Sequence, residues 1–534
     1  MIVLCILKIK PSKQQYFGDH ITPLRCFDYL YGKEENTLFL PNHVMRSLIP
    51  TAMKRLLITA IIALLPLLQF AQDSFPSFPP SGVTADMDFR QMLHQMGIVL
   101  PDLVSRADDP NRPAGSVVQD PSNPEGRYMY NGHDLNRSLF GLWDNYDDTE
   151  EGFFPGKEPW RTGSYTPISL TKMHNGREIR SADDWWRLRR PEIVKDAEES
   201  LFGSFPPADK LPKVDFKTME LQMKRSGREF TQINIFGQVD CSSYPGIKNS
   251  PAITATLRLP KSDKPVPVMI LISWDMGLDM YWETMAAQGW GLCFFNPANL
   301  QPDNGAFLTD YLIGLVNKGN WRSPSDWGAI GAWSWGISRL IDYLLTDSRI
   351  NPDGIGIGGH SRYGKTALYA MACDQRIKIG FPSDAGSLGT KMNRRHWGPD
   401  LENSAIPSEY HWMAGNFLKW CGPLVPGQYL PRKVELCPVD SHSILSLCAP
   451  RPVFLNCGTT SQWSDPYGIY LTAAAASPVY DLLGKKGLVM NDPKPVVDKA
   501  YIDGDIGFRY HEGGHVDTPD WPAFFEFAHK YIDF

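Results

Sequence analysis

Residues Gly354-Ile-Gly-Ile-Gly-Gly-His-Ser-Arg-Tyr-Gly-Lys365 decide how this 534-residue chain folds. Alternating isoleucines run into Gly358-Gly359, His360, Ser361 and Arg362, and Gly364-Lys365 leads into a helical pattern (Thr366, Ala367, Leu368, Ala370, Met371). Strand, sharp turn and helix is the layout of a nucleophile elbow, in which a serine hydroxyl is pushed out above a sheet. Glycines on both sides admit backbone angles and close packing that a Cβ would block. The spacing Gly-x-Ser-x-x-Gly is one residue longer than the common form. An ordinary strand-to-helix turn with Ser361 as a cap is the plain alternative, and partners found downstream favour the elbow.

Outward from this turn the texture is α/β from about residue 210. Strands are expected at 230–236, 253–259, 266–274, 290–295, 377–381, 452–457 and 506–510, with helices between most of them, including 329–345. That alternation predicts a mostly parallel sheet sandwiched by helices. Reactive groups on such sheets lie at the carboxyl ends of strands, and Ser361, Asp384, Asp465 and His515 all fall there. Upstream, residues 86–150 are polar and turn-rich, with a weak helix at 89–98. Ser181, with Asp184 three residues on, is a helix start of capping-box type. Residues 73–209 are therefore expected to wrap a catalytic domain at 210–534 rather than build a core of their own.

A serine hydroxyl is a poor nucleophile until a histidine takes its proton, and the histidine needs a carboxylate to hold its tautomer. The order Ser…Asp…His is that of α/β hydrolases. His515, in Tyr510-His-Glu-Gly-Gly-His515, sits in a glycine-rich loop after the last strand. His511 competes, but as part of that strand it is expected to pack or hydrogen-bond. Asp384 and Asp465 both remain open as the acid, and both also read as turn or cap residues. Arg362 follows the serine, where an oxyanion-hole N–H is expected, and its guanidinium could stabilise the same charge. A structural arginine paired with an acid is the alternative.

A net charge of −6 argues against nucleic acid as a partner. Sixteen tryptophans are enough to spare some for a stacking surface. No Cys/His cluster has zinc-ligand spacing, and no metal or organic cofactor is called for. Met53-Lys-Arg55 followed by the apolar, proline-broken run 56–70 reads as a secretory signal peptide at 53–72, with a single-pass anchor as the alternative. Residues 1–52 are then an upstream segment outside the mature protein, Met53 being the expected start. Seven cysteines lie beyond this segment (241, 293, 373, 421, 437, 448, 457) without the spacing of a disulfide framework. An exported protein, periplasmic or secreted, without stable membrane association after signal removal, is expected, as a monomer.

With these residues in view, the chain resembles the glucuronoyl esterases, carbohydrate esterase family fifteen. Gly359-His-Ser-Arg-Tyr-Gly-Lys365 matches that family's Gly-x-Ser-Arg-x-Gly-Lys signature, extra residue included. Further matches run through Glu402-Asn403, Tyr410-His-Trp-Met-Ala-Gly-Asn-Phe417, Asp440-Ser-His442, Ala449-Pro-Arg-Pro452, Trp463-Ser-Asp-Pro466 and Gly513-Gly-His515. The resemblance covers residues 210–534 well and 86–200 loosely, and a combined match is more specific than any single motif. It implies an α/β-hydrolase fold and a serine esterase. Such an enzyme cleaves the ester between 4-O-methyl-glucuronic acid of glucuronoxylan and lignin alcohols, so a polysaccharide or lignin-carbohydrate partner is implied. Ser361 would be the nucleophile, Arg362 the oxyanion stabiliser and His515 the base. Lys365, Glu402 and Trp463 would contact the uronate sugar, against the plainer readings of Trp463 as packing and Glu402 as a surface acid. Two departures stand out. Asp384, in Asp-Ala-Gly, replaces the family's Glu-Ser-Gly, which keeps Asp465 in play. A glutamine among the family's sugar contacts has no match here, and Arg394 or Arg395 falls in that region.

Overall fold

The apolar run Val266–Ile272 is a strand buried on both faces near the middle of a ten-stranded sheet. This computed structural model describes residues 75–98, 166–273, 278–395, 404–405, 407–421, 434–461 and 464–533, with short strands at 118–119, 128–130, 133–134, 424–425 and 428–429. The expected signal peptide, the segment before it, Glu402 and Trp463 lie outside the described residues. Residues 76–534 form one unit.

The main sheet comprises β1 (Val214–Arg225), β2 (Arg228–Val239), β3 (Ala252–Pro260), β4 (Val266–Ile272), β5 (Gly291–Asn296), β6 (Ile350–His360), β7 (Ile379–Ser383), β8 (Val453–Gly458), β9 (Ala500–Tyr501) and β10 (Ile506–His511). Their spatial order is β9-β10-β8-β7-β6-β4-β5-β3-β2-β1. The six strands from β10 to β5 are parallel, and both rims are antiparallel. The mixed, mostly parallel sheet with its helices is an α/β-hydrolase fold.

The longer helices among the described residues are α1 (Ala85–Gln95), α2 (Arg190–Ala197), α3 (Leu278–Ala287), α4 (Ala329–Leu344), α5 (Arg362–Cys373), α6 (Pro466–Leu482) and α7 (Trp521–Ala528). Period-two alternation on β4 decides which of them it meets. Val268, Ile270 and Ile272 share a core with α4, α5 and α6, whereas Met269 and Leu271 join Trp282 of α3 and Phe524 of α7. The expected strands are present, most of them a little longer or shifted by a residue or two. β1 was not foreseen: it is a largely exposed rim strand whose apolar residues are split between its faces, Val214 and Phe216 on one and Met219, Leu221 and Met223 on the other. It is created by the two-residue turn Ser226-Gly227, both at positive φ, which suits a hairpin.

Upstream of the sheet, Ser181 Oγ accepts from Asp184 N at 3.1 Å, as its capping pattern suggested. Trp185, Ile193, Leu201 and Phe202 then enter the same core as α4 and α5. Helix α1 packs Phe89 on Tyr410 (ring centroids 5.0 Å apart) and Met92 against Gly415. Among the described residues the six cysteines are free thiols, and no helix is long and apolar enough to cross a membrane.

Candidate active site

Strand β6 ends at His360 and α5 begins at Arg362, leaving Ser361 between them at φ 58° and ψ −124°. A non-glycine residue in that region is strained and persists only where its surroundings dictate it. Here the Ser361 amide donates to Ser383 O at 2.9 Å, and its carbonyl accepts from Lys365 N at 3.1 Å. The flanking glycines are sterically required. A Cβ on Gly359 would lie 2.3 Å from Tyr363 O, and one on Gly364 would lie 2.7 Å from Ser383 O. The longer spacing of the motif follows: the second glycine sits on the first turn of α5, where helix meets the β7 backbone.

Asp384 follows β7 and His515 follows β10 by four residues. His515 Nδ1 lies 2.8 Å from Asp384 Oδ2. The imidazole is partly exposed, whereas the carboxylate is fully buried. The His515 ring also lies 4.1 Å, centroid to centroid, from that of His360, the residue immediately before Ser361, the two planes tilted by 51°. Three segments remote in sequence therefore converge at the carboxyl ends of β6, β7 and β10. Burial alone would raise the Asp384 carboxyl, but the charge and hydrogen bond of His515 outweigh it, and the carboxyl stays well below the usual carboxylate range. Its backbone is at φ 40°, and its amide donates to Asn456 Oδ1 at 2.9 Å. His360 is pushed down to about 4 by burial and by the neighbouring His515 charge, so it is neutral beside the other imidazole.

Of the two aspartates left open by the sequence, Asp384 is the one at His515 Nδ1. Asp465 caps α6 instead, accepting from Gly468 N at 2.9 Å, and both its oxygens lie 3.2 Å from Arg395 Nε. Burial raises its pKa against the pull of Arg395. Arg394 is likewise engaged, donating to Cys437 O at 2.6 Å.

Arg362 projects from the first residue of α5 and donates to Asp303 Oδ2 at 2.8 Å, its guanidinium 4.6 Å from the centroid of the Trp412 ring. Asp303 Oδ1 in turn accepts from Trp412 Nε1 at 2.6 Å and lies 2.8 Å from His411 Nε2. Burial would raise the Asp303 carboxyl, but His411 and Arg362 hold it down at about 2. Lys365 is buried, donates to Ala385 O at 2.6 Å and stands 5.5 Å from the Trp412 ring. Burial pushes its pKa down to about 8. An ammonium has three donors, so the bond to Ala385 does not exhaust it.

Asp303, Trp412 and His360 were not assigned roles from the sequence. His360 lay in the quoted motif and Trp412 in a matched stretch. Asp303 could have been sought by the same rule that found the others, since it stands in the loop after β5 at the carboxyl edge of the sheet.

A family model described as "Glucuronyl esterase, fungi" matches residues 246–484. The chain is 27% identical over 414 residues to Carbohydrate esterase MZ0003 of an unknown prokaryotic organism, covering 69% of this chain and 90% of that protein. It is 30% identical over 335 residues to a 4-O-methyl-glucuronoyl methylesterase of Phanerochaete carnosa, covering 58% and 71% respectively. Among solved structures, a CE15 glucuronoyl esterase from Teredinibacter turnerae superposes with a TM-score of 0.65 at 33% identity, covering 84% of this chain and 99% of that one. At 33% identity to a solved glucuronoyl esterase matched along 99% of that structure's length, the chain belongs to the glucuronoyl esterase family, carbohydrate esterase family fifteen.

Proposed function

We propose that this protein is a serine esterase that hydrolyses the ester joining 4-O-methyl-glucuronic acid of glucuronoxylan to lignin alcohols. The observation that carries the reading is the contact of His515 with Asp384, together with the tilted contact of the same imidazole with the ring of His360, the neighbour of Ser361. A carboxylate on Nδ1 keeps the proton there, so that Nε2 carries the lone pair that acts as the base.

Ser361 Oγ attacks the uronyl carbonyl carbon and gives its proton to His515 Nε2. The carbonyl π pair moves to oxygen, and Arg362 with its backbone N–H stabilises that charge. Collapse breaks the ester bond, and the alcohol leaves with the proton from His515. Water then gives a proton to His515 and attacks the acyl carbon; collapse breaks the acyl–Oγ bond and releases the uronic acid, while His515 returns its proton to Ser361 Oγ. Asp384 holds His515 while it is charged. Asp303 and Trp412 keep the Arg362 guanidinium at one place, so little reorganisation is needed when charge develops. Lys365, Glu402 and Trp463 are assigned to the sugar ring, an aromatic face suiting a pyranose.

Release of alcohol from benzyl and methyl glucuronate by wild type, absent in Ser361→Ala, tests the assignment. Turnover of acetylated xylan with inert glucuronate esters would point to another carbohydrate ester. Residues 53–72 are assigned as a signal peptide that exports the protein. Amino-terminal sequencing of exported protein should begin near residue 73, and a start before residue 53 would refute this.

A further inference from the structure

Behind the candidate triad lies a second histidine–aspartate pair that the reaction does not use. His511 ends β10 and Asp520 precedes α7, and both are fully buried. His511 Nδ1 lies 2.7 Å from Asp520 Oδ2, and His511 Nε2 lies 3.1 Å from Gly514 O. A carbonyl only accepts. The Asp520 carboxylate already accepts from Arg509 Nη1 at 2.6 Å on Oδ1 and from Asn456 Nδ2 on Oδ2. A neutral imidazole would direct a lone pair at one of these two oxygens, because it has only one N–H. The imidazolium alone satisfies both contacts. The charges around it balance: Arg509 also pairs with Asp498 at 2.8 Å, so two cations face two carboxylates, with Asp384 the next acid nearby. Burial works against the charged form, but the hydrogen bond and charge of Asp520 prevail and raise the His511 pKa.

The network touches both halves of the site. Gly514, whose carbonyl faces His511, is the residue before His515. Asn456, on the same Asp520 oxygen, accepts through Oδ1 from the amide of Asp384. The loop is seated closely: a Cβ on Gly458 would lie 2.1 Å from Gly514 O and 2.8 Å from His511 Nε2.

We propose that His511 is a positioning residue of this esterase: a permanently charged imidazolium that, through Asp520, ties the backbone presenting His515 to the backbone presenting Asp384. The proposal rests on the reading of His515 and Asp384 as base and acid. A displacement of the base by an ångström is enough to cost about a hundredfold in rate.

The test uses the full protein and three readouts. In protein labelled with nitrogen-15 histidine, the His511 side chain, assigned by its loss in His511→Asn, should show protons on both ring nitrogens and no titration from pH 5 to 8. A single-proton ring, or a titration inside that range, overturns the proposal. Asparagine keeps a donor toward Asp520 but cannot reach Gly514, whereas glutamine keeps one toward Gly514. Labelling of Ser361 by a serine-reactive phosphonate should therefore slow about ten- to a hundredfold in His511→Asn and less in His511→Gln, with the pH dependence of labelling altered in the former. Equal labelling rates and profiles in wild type and a folded His511→Asn overturn it. Wild-type labelling without turnover of glucuronate esters would count against the substrate alone, and absence of any labelling at Ser361 would overturn both readings.

Discussion

Asp384 Oδ2 stands 2.8 Å from His515 Nδ1, although the strands delivering them, β7 and β10, are separated in the sheet by β8. The aspartate reaches the imidazole despite its short side chain, from a backbone in the positive-φ region at φ 40°. Loss of the carboxylate should select the wrong tautomer while preserving the fold. Asp384→Asn is expected to lower kcat by roughly 10³–10⁴-fold with a modest change in KM. Asp465→Asn should do the reverse, lowering kcat by less than about tenfold while costing about 3 kcal/mol of stability, because it leaves the Arg395 cation without its buried partner. Steady-state kinetics and urea midpoints on the two variants separate these outcomes.

Arg362 is held by a carboxylate and an aromatic face, so its effect depends on both charge and place. Arg362→Ala should reduce kcat about 10²–10³-fold. Arg362→Lys should recover little, because an ammonium lacks the planar fork. Asp303→Asn should lower kcat with Arg362 still present, by about tenfold, as the guanidinium gains freedom. A double-mutant cycle measures the coupling, and additive effects of Arg362→Ala and Asp303→Asn would contradict the linkage.

Acid should weaken the fold in two stages. His360 has a folded pKa of about 4 against 6.5 ordinarily, because burial and the His515 charge oppose its protonation. Between those values the unfolded chain binds the proton more readily, so stability falls as pH drops from 6.5 toward 4. Asp303 has its carboxyl held at about 2 against 3.8 ordinarily by His411 and Arg362, which together outweigh burial. Its stabilisation is present above about pH 3.8 and disappears as pH falls through 2. His360→Gln should flatten the upper stage and Asp303→Asn part of the lower, read as urea midpoints at pH 7, 5 and 3.

Gly364 has no room for a methyl group, since a Cβ there would sit 2.7 Å from Ser383 O and 3.0 Å from Ala385 Cβ. Gly364→Ala should force α5 away from β7 and shift Ser361 with it. The expected outcome is a loss of at least about 2 kcal/mol in stability and of most activity. A scanning-calorimetry midpoint unchanged from wild type would refute this account of the longer motif.

Much of this is legible in the sequence. Local chemistry wrote the elbow: isoleucine alternation, two glycines and a helical tail admit few other conformations around Ser361. The parallel centre of the sheet followed from its near-continuous apolar runs. Rim strand β1 escaped because its apolar residues change face part-way along, from Val214 and Phe216 to Met219, Leu221 and Met223, so no single alternation runs its length. The choice between Asp384 and Asp465 also lay beyond the sequence, as did the partnership of Arg362 with Asp303 and of His511 with Asp520. Each is a distance between residues far apart in the chain, set by strand order and loop path. Residue type and spacing determine which groups can react, but only packing in three dimensions decides which of them meet.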